Sequence, residues 1–456
     1  MKYLLFFLAG FIQWGIAQSS LYDTDLLPAD FHVERRRQLR ARMSDNSVVV
    51  MFANPVRNRS NDVDYTYRQD PNFFYLTGFS SPNAMLLVFK TPQTIGKVTT
   101  DEILVIEPKD EEQEKWTGKR MTVKEVTGIL KFKAACYADS FQLSTIPFAS
   151  FTKIYNPYFY NDVRDDRYDK YDLFDLEKNY RYLTDSLKTV ETTGQYRLMN
   201  QLREIKTPEE LTLLRKAIDI SCQAHLDLMK KLKTAGTEYQ AQAIVEYGFR
   251  YNGAEDIGYP SIVGAGENGC VAHYTSNRKK FTKTDILVVD AGGEYHGYTA
   301  DITRSLPVNG KYSEAQAIIY NLVLKAQEEG IKACKAGNKF RSTHEATSAV
   351  IKKGLVDLGI IKNADDYQLY FFHGTSHYLG LDVHDAGTYG ELKPNSVITV
   401  EPGIYIPPGS PCDKKWWNIG VRIEDDVLIT TGEPEVLSAK LPRSIAEIEL
   451  LMNSVK

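Results

Sequence analysis

The chain has 456 residues, 43% hydrophobic and 25% charged, with a formal net charge of −4. At roughly 100–200 residues per domain, that length predicts two or three domains and a sizeable core. The ordinary composition excludes a disordered, collagen-like or polytopic membrane chain, and the near-balanced charge gives no global case for nucleic acid as a partner.

In chain order, Lys2 is followed by an apolar run over residues 3–16, and Gly15-Ile16-Ala17 supplies small residues where a leader is cut. This predicts a secretory signal peptide, residues 1–17, and export to the periplasm or the medium. A short membrane anchor is the alternative, but the run is short for a bilayer and no later stretch is apolar enough to span one, so no stable membrane insertion is expected. Residues 29–44, rich in arginine, read as a helix. Strands read at 47–53, 83–89 and 102–106, with helical stretches between and after them, and this alternation predicts an α/β amino-terminal domain. Residues 151–182 are charged and tyrosine-rich and read as a surface insertion and a linker. The cysteines (Cys136, Cys222, Cys270, Cys334 and Cys412) are odd in number and widely spaced. They predict buried free thiols, not a disulfide framework.

The second half is more regular. Thr207-Pro208-Glu209-Glu210 is a helix start with a cap, a proline at the first turn and a glutamate at the third position. Leu211, Leu214, Ile218 and Cys222 then fall on one helical face. Thr237 to Gln240 opens a second helix that stops near Gly253, and a hairpin follows over 286–307. The scheme recurs: Ser313 to Gln316 opens a helix closed by Gly337, Ser342 to Glu345 opens another, and strands follow. Four capping boxes in two helix-helix-strand blocks predict an internally duplicated α+β domain, without a residue-level repeat.

The chemistry concentrates in that half. In Asp290-Ala-Gly-Gly-Glu-Tyr-His-Gly-Tyr-Thr-Ala-Asp301, a hairpin centred between Tyr295 and His296 puts Asp290 opposite Asp301, with Cβ atoms about 5 Å apart. Two carboxylates that close repel unless one is protonated or a cation lies between them. Exposed strand ends are the plain alternative. His373-Gly-Thr-Ser-His377-Tyr-Leu-Gly-Leu-Asp-Val-His384-Asp385 gathers three of the chain's 8 histidines, and such a cluster suggests a site. Glu401 ends the apolar strand Val397-Ile-Thr-Val400. In Gly420-Val-Arg-Ile-Glu-Asp-Asp-Val427, read as one strand, Arg422 and Glu424 share a face; an Arg–Glu pair at a sheet edge is the plain alternative. Two aspartates, one histidine and two glutamates make a hard, oxygen-rich donor set suited to a pair of divalent ions such as Mn2+, with Co2+ or Zn2+ also possible. Two such ions about 3.5–4 Å apart can hold a hydroxide and polarise a carbonyl. No Ser-His-Asp elbow or reactive-cysteine motif competes.

The order of these motifs resembles the dinuclear pita-bread metallopeptidases, and among them the aminopeptidase P (Xaa-Pro aminopeptidase) family. Gly264-Ala-Gly-Glu-Asn-Gly-Cys-Val-Ala-His273-Tyr274 and Tyr67-Arg-Gln-Asp-Pro-Asn-Phe-Phe-Tyr-Leu-Thr-Gly-Phe79 match further motifs of that family. The resemblance implies an accessory α/β domain over 18–190 and a pita-bread catalytic domain over 191–456. It implies hydrolysis of the bond before a penultimate proline by two divalent ions, Mn2+ foremost. The implied ligands are Asp290, Asp301, His377, Glu401 and Glu424, with Asp301 and Glu424 bridging and Glu401 also the general base. His273 and His384 would contact substrate and the tetrahedral intermediate, and His373 would shape the proline pocket. Arg422 would stand beside the metals, and Tyr259 would orient a ligand from behind. A homodimer or homotetramer is implied, built through the amino-terminal domain. A prolidase, which cleaves only Xaa-Pro dipeptides, would share all five ligands, but the 67–79 block and the Glu-Asn-Gly-Cys motif favour the aminopeptidase. A non-catalytic peptide-binding module of the same fold is the more distant reading, because such modules have lost ligands.

Overall fold

The computed structural model describes residues 24–157, 162–165 and 170–454. The expected signal peptide lies outside the described residues. Among the described residues no helix is long and apolar enough to cross a membrane.

The amino-terminal half is built on a six-stranded mixed sheet. Ser47–Phe52 lies at its centre, antiparallel to Met85–Ile95, which pairs in turn with Val98–Ile106. Ala135–Tyr137, Lys153–Tyr155 and Val190–Glu191 add in parallel at the two sides. The central strand is buried along its whole length, as expected where both faces of a sheet are covered. Val49 and Met51 pack with Phe31 and Leu39 of the helix Ala29–Arg42 on one face. Val48, Val50 and Phe52 meet Phe148, Phe151 and Tyr180 on the other. The arginines of the 29–42 helix are structural. Arg36, fully buried, donates to both oxygens of Glu102 at 3.0 and 3.2 Å and to Leu76 O at 2.8 Å.

One segment differs from its sequence reading. The described residues at the two ends of 151–182 belong to the sheet and its cover, not to a surface insertion. Lys153–Tyr155 is an internal strand, and the helix Leu173–Thr184 buries Leu173, Leu176 and Tyr180 against the sheet. Of the aromatic residues described there, Phe151 and Tyr180 lie in the second core and Tyr155 in the first, while Tyr171 and Tyr182 are exposed. The cysteines are all free, with Cys222, Cys270 and Cys334 buried and Cys136 and Cys412 half-buried.

In the second half, two helix pairs cover small twisted sheets. Pro208–Lys231 packs on Glu238–Tyr251, and Glu314–Ala333 packs on Ser342–Asp357. Full capping boxes open the 208 and 314 helices. The other two expected boxes are incomplete. Gln240 turns its side chain to Gly236 N, and Ser342 is already helical behind Arg341, which makes no side-chain cap.

The hairpin turns one residue later than expected. Tyr295 faces Tyr298, so His296 and Gly297 form a two-residue turn, at φ of 48° and 82°. Positive φ at both central residues matches the right-handed twist of the flanking strands. Asp290 therefore faces Thr303, not Asp301. A centre moved by one residue moves each partner by two, and side chains alternate with period two, so Asp301 keeps its face.

The strands of this half are interrupted, and the interruptions fall at the carboxylates. Asp290 ends Ile286–Asp290 before Gly293–Tyr295 begins; Asp301 lies between Tyr298–Thr299 and Thr303–Pro307. Glu401 lies between Val397–Val400 and Gly403–Ile406. The 420–427 run is not one strand: Ile419–Arg422 and Asp425–Leu428 belong to different sheets, with Glu424 between them. Val400 faces Asp425 and Gly403 faces Arg422 in one continued register, which sets Glu401 across from Glu424. Gly292 sits in the first interruption, where an added Cβ would collide with the carbonyl oxygen of Ala300. Overpacking of this kind costs about 1–3 kcal/mol, so Gly292→Ala should lower the urea midpoint of the purified chain, read by far-UV circular dichroism.

Candidate metal centre

Each interruption turns a carboxylate away from its own ladder and towards a common space. Tyr259 links the first pair: its hydroxyl lies 2.6 Å from Asp290 Oδ1 and 2.5 Å from Asp301 Oδ1. Arg422 Nη2 donates to Asp290 Oδ2 at 2.6 Å. His377 Nε2 lies 3.2 Å from Asp301 Oδ2 and 3.4 Å from Glu401 Oε1. Its segment runs beside Val397–Val400, where Thr399 N donates to His377 O at 3.0 Å and Glu401 N to Thr375 O at 2.8 Å. His377 Nδ1 donates to Tyr378 O at 3.0 Å, which fixes the tautomer and aims Nε2 at the carboxylates. Donor atoms of Asp301, His377 and Glu424 lie within 4.8 Å of one another.

The other expected residues form the walls. His373 Nδ1 donates to Gly374 O at 2.7 Å, leaving Nε2 to accept from the Tyr405 hydroxyl at 2.8 Å. Tyr405 accepts in turn from Arg422 Nη1 at 2.8 Å. The His384 ring stacks edge-on to His377, with centroids 4.3 Å apart. His273 borders the same space. All ten side chains singled out from the sequence line one cavity of about 680 Å³.

Thr303 and Tyr405 join the site without a motif to announce them. Thr303 Oγ1 donates to Glu424 Oε2 at 2.6 Å and accepts from Arg422 Nε at 3.2 Å. Its only signal is parity with Asp301 along the strand. Asp426 is a third addition: it is buried, and its Oδ2 accepts from Asp301 N at 3.3 Å.

The electrostatics suit cations. Two like charges 4 Å apart repel by about 4 kcal/mol at an effective dielectric of 20. Burial, and then the Asp290 charge, push the Asp301 carboxyl up. Burial, and then Asp301 and Glu401, push Glu424 well up. Burial carries Glu401 up to about 7 against the pull of His377. Burial pulls His377 down, but its bond to Asp301 and the Glu401 charge outweigh it and hold the ring at about 9. The metal-free centre thus keeps protons where metal binding would displace them. Burial and Arg422 instead hold His373 down at about 4, so that ring is neutral.

Two family models match the chain: metallopeptidase family M24 over residues 212–431, and the amino-terminal domain of aminopeptidase P over 32–148. A Xaa-Pro aminopeptidase of Haemophilus influenzae is 35% identical over 442 residues, covering 94% of this chain and 98% of its own. The chain belongs to the aminopeptidase P family. Solved structures agree with this membership. Aminopeptidase PepP of Pseudomonas aeruginosa superposes with a TM-score of 0.83 at 33% identity, covering 94% of this chain and 99% of that one. Aminopeptidase P of Escherichia coli, solved with the inhibitor Pro-Leu, gives 0.82 at 32% identity with the same coverage. The M24 match takes in the interrupted strands and their convergent carboxylates, and the amino-terminal match takes in four strands of the six-stranded sheet, Ser47–Phe52, Met85–Ile95, Val98–Ile106 and Ala135–Tyr137.

Proposed function

We propose that the chain is a metallo-aminopeptidase that releases the first residue of peptides whose second residue is proline. The observation that carries this reading is the convergence of Asp290, Asp301, His377, Glu401 and Glu424 on one cavity in a chain of this family. These five would hold two divalent ions, with manganese the expected pair and Asp301 and Glu424 shared between them. Bound there, the ions supply Lewis-acid polarisation of the scissile carbonyl and acidify the attacking water.

The protein's own groups do the rest. Glu401, balanced near neutrality by burial, takes a proton and returns it to the leaving nitrogen. His384 and His273, on the cavity wall, donate to the substrate carbonyl and to the charge that develops on it. Tyr259 orients Asp290 and Asp301, and Arg422 keeps Asp290 in place from the other side. His373, held by Tyr405, shapes the proline side. An Xaa-Pro bond is a tertiary amide without N–H, so a cleft that polarises the carbonyl and fits the ring accepts what strand-pairing peptidases refuse.

Arg422 also separates this reading from a dipeptidase. It is the only lysine or arginine lining the cavity among the described residues. Its guanidinium is already committed to Asp290, Tyr405 and Thr303. A dipeptidase needs a fixed cation for the proline carboxylate, because an unpaired buried charge is costly. Ala-Pro-Ala should therefore be cleaved with a kcat/KM at least equal to that of Ala-Pro, while Ala-Ala-Ala and acetylated Ala-Pro-Ala are poor substrates. A marked preference for Ala-Pro would move the chain to prolidase.

The division near residue 190, export by residues 1–17 and a homodimeric or homotetrameric state belong to the same proposal. The two family matches, which fall on either side of residue 190, support the first. Amino-terminal sequencing of secreted protein and light scattering test the other two.

A further inference from the structure

The ring of His384 accepts and donates no hydrogen bond among the described residues. Its direction is set by the loop that carries it. That loop is closed by Asp385 N donating to Tyr378 O at 2.8 Å and Gly380 N to Asp382 O at 3.1 Å. The next side chain, Asp385, points the other way and is buried. Its Oδ1 accepts from Arg203 Nη2, and its Oδ2 accepts from Lys206 Nζ at 2.8 Å. Arg203 Nη2 also reaches Asp382 Oδ2 at 2.8 Å. Gly380 leaves room for this, since a Cβ there would collide with Asp385 Oδ2.

The clamp extends into the amino-terminal half. Arg203 Nη1 donates to Asn72 Oδ1 at 2.7 Å, and Arg68 Nη2 donates to Leu381 O at 2.6 Å. Both Asn72 and Arg68 lie in the 67–79 block, far from the metal-binding segments in sequence. Arg203 and Lys206 balance Asp385 out of water, and Arg203 also pairs with Asp382, whose carboxylate reaches the surface. Burial opposes ionisation of Asp385, but Arg203 and Lys206 outweigh it and hold its carboxyl below the usual range. Such a pair is rigid, and breaking it by removing one partner strands a buried charge.

We propose that Asp385, clamped by Arg203 and through it by Asn72, is a positioning residue for His384, so that the amino-terminal domain sets the aim of a catalytic histidine in the other domain. This rests on the role given to His384 above. Asp385 touches neither substrate nor metal in this account; it acts only through its neighbour.

The test is a double-mutant cycle on the metal-loaded enzyme with Ala-Pro-Ala. Asp385→Asn should lower kcat on the order of 10-fold or more, within the about 10²-fold that a small misplacement of a catalytic group can cost. KM and metal content should stay near wild type. In a His384→Ala background, the same change should cost less than about 2-fold further, because groups acting through one another are not additive. Asn72→Ala leaves the three ion pairs intact and should give a smaller loss of kcat that also vanishes in the His384→Ala background; it serves if Asp385→Asn does not fold. Equal losses in both backgrounds would overturn the proposal and make the clamp merely structural. Unchanged kcat in Asp385→Asn and Asn72→Ala would overturn it too. If His384→Ala itself keeps full turnover, it is the role of His384 that fails.

Discussion

Asp301→Asn should abolish turnover and leave the chain folded. Asp301 is held at both oxygens: Tyr259 holds Oδ1 at 2.5 Å, and His377 Nε2 stands 3.2 Å from Oδ2. It is also one of the three residues whose donor atoms already lie within 4.8 Å of one another. An amide keeps the shape but offers one neutral oxygen where a shared ligand needs two charged ones. Losing several kcal/mol of carbonyl polarisation corresponds to about 10³-fold or more in rate. Elemental analysis should find two divalent ions in the wild-type chain and fewer in the variant. The sign of the stability change separates lost chemistry from lost fold. In the metal-free chain the Asp301 carboxyl is pushed up, so its charge opposes folding at pH above its ordinary range, and asparagine removes that charge. The metal-free variant should therefore melt no lower than the metal-free wild type. A chelator should silence the wild-type enzyme, and manganese should restore it best. Full turnover by the stripped protein would end the metal reading.

His377→Ala and His384→Ala should fail in different ways, although the two rings touch. His377 is buried, its Nδ1 is satisfied by Tyr378 O, and its Nε2 faces Asp301 and Glu401. Its loss should release metal. His384 points into the cavity, and burial, followed by the charge of His377, holds its ring below the ordinary value. A neutral imidazole with a free N–H is a donor for a carbonyl that gains charge. His384→Ala should keep its metal while kcat falls about 10²-fold or more, the scale of one lost transition-state donor. Metal analysis beside steady-state kinetics reads both outcomes. Equal metal loss in the two variants would mean that the histidines have been exchanged.

Much of this centre is legible from the chain because its donors sit in short, chemically unusual contexts. A carboxylate at the end of Val397-Ile-Thr-Val400, or three histidines between 373 and 384, stands out against an apolar or ordinary background. Helix starts at Thr207 and Ser313 are legible for the same reason: a cap acts within one turn, so its grammar is local. The 342 helix shows the limit, since Arg341 precedes Ser342 with helical backbone angles and no side-chain cap. Residues 151–182 show another. Their charge marks them as surface, yet Ile154 and Tyr180 lie in the core, because the sheet needs a parallel strand beside Ser47–Phe52 and a helix over its second face.

What the sequence by itself determined is a set of carboxylates and one imidazole with hard, oxygen-rich chemistry, in an order shared with a metallopeptidase family, on strands whose period-two pattern fixes a face. The shared face of Asp290 and Asp301 survived a hairpin displaced by one residue, because that displacement moves partners by two. Only the tertiary structure decided where the strands break and change sheets, that Glu401 stands across from Glu424, and that Thr303, Tyr405 and the Asn72–Arg203–Asp385 clamp complete the site. These are contacts between segments far apart in the chain. Their geometry follows from two hairpins and two helix pairs packing at once, with Arg304 buried between them and donating to Glu424 O at 2.7 Å and to Asp425 Oδ1 at 2.8 Å. A local pattern encodes which way a side chain points; which distant group it meets depends on how the closed core is filled.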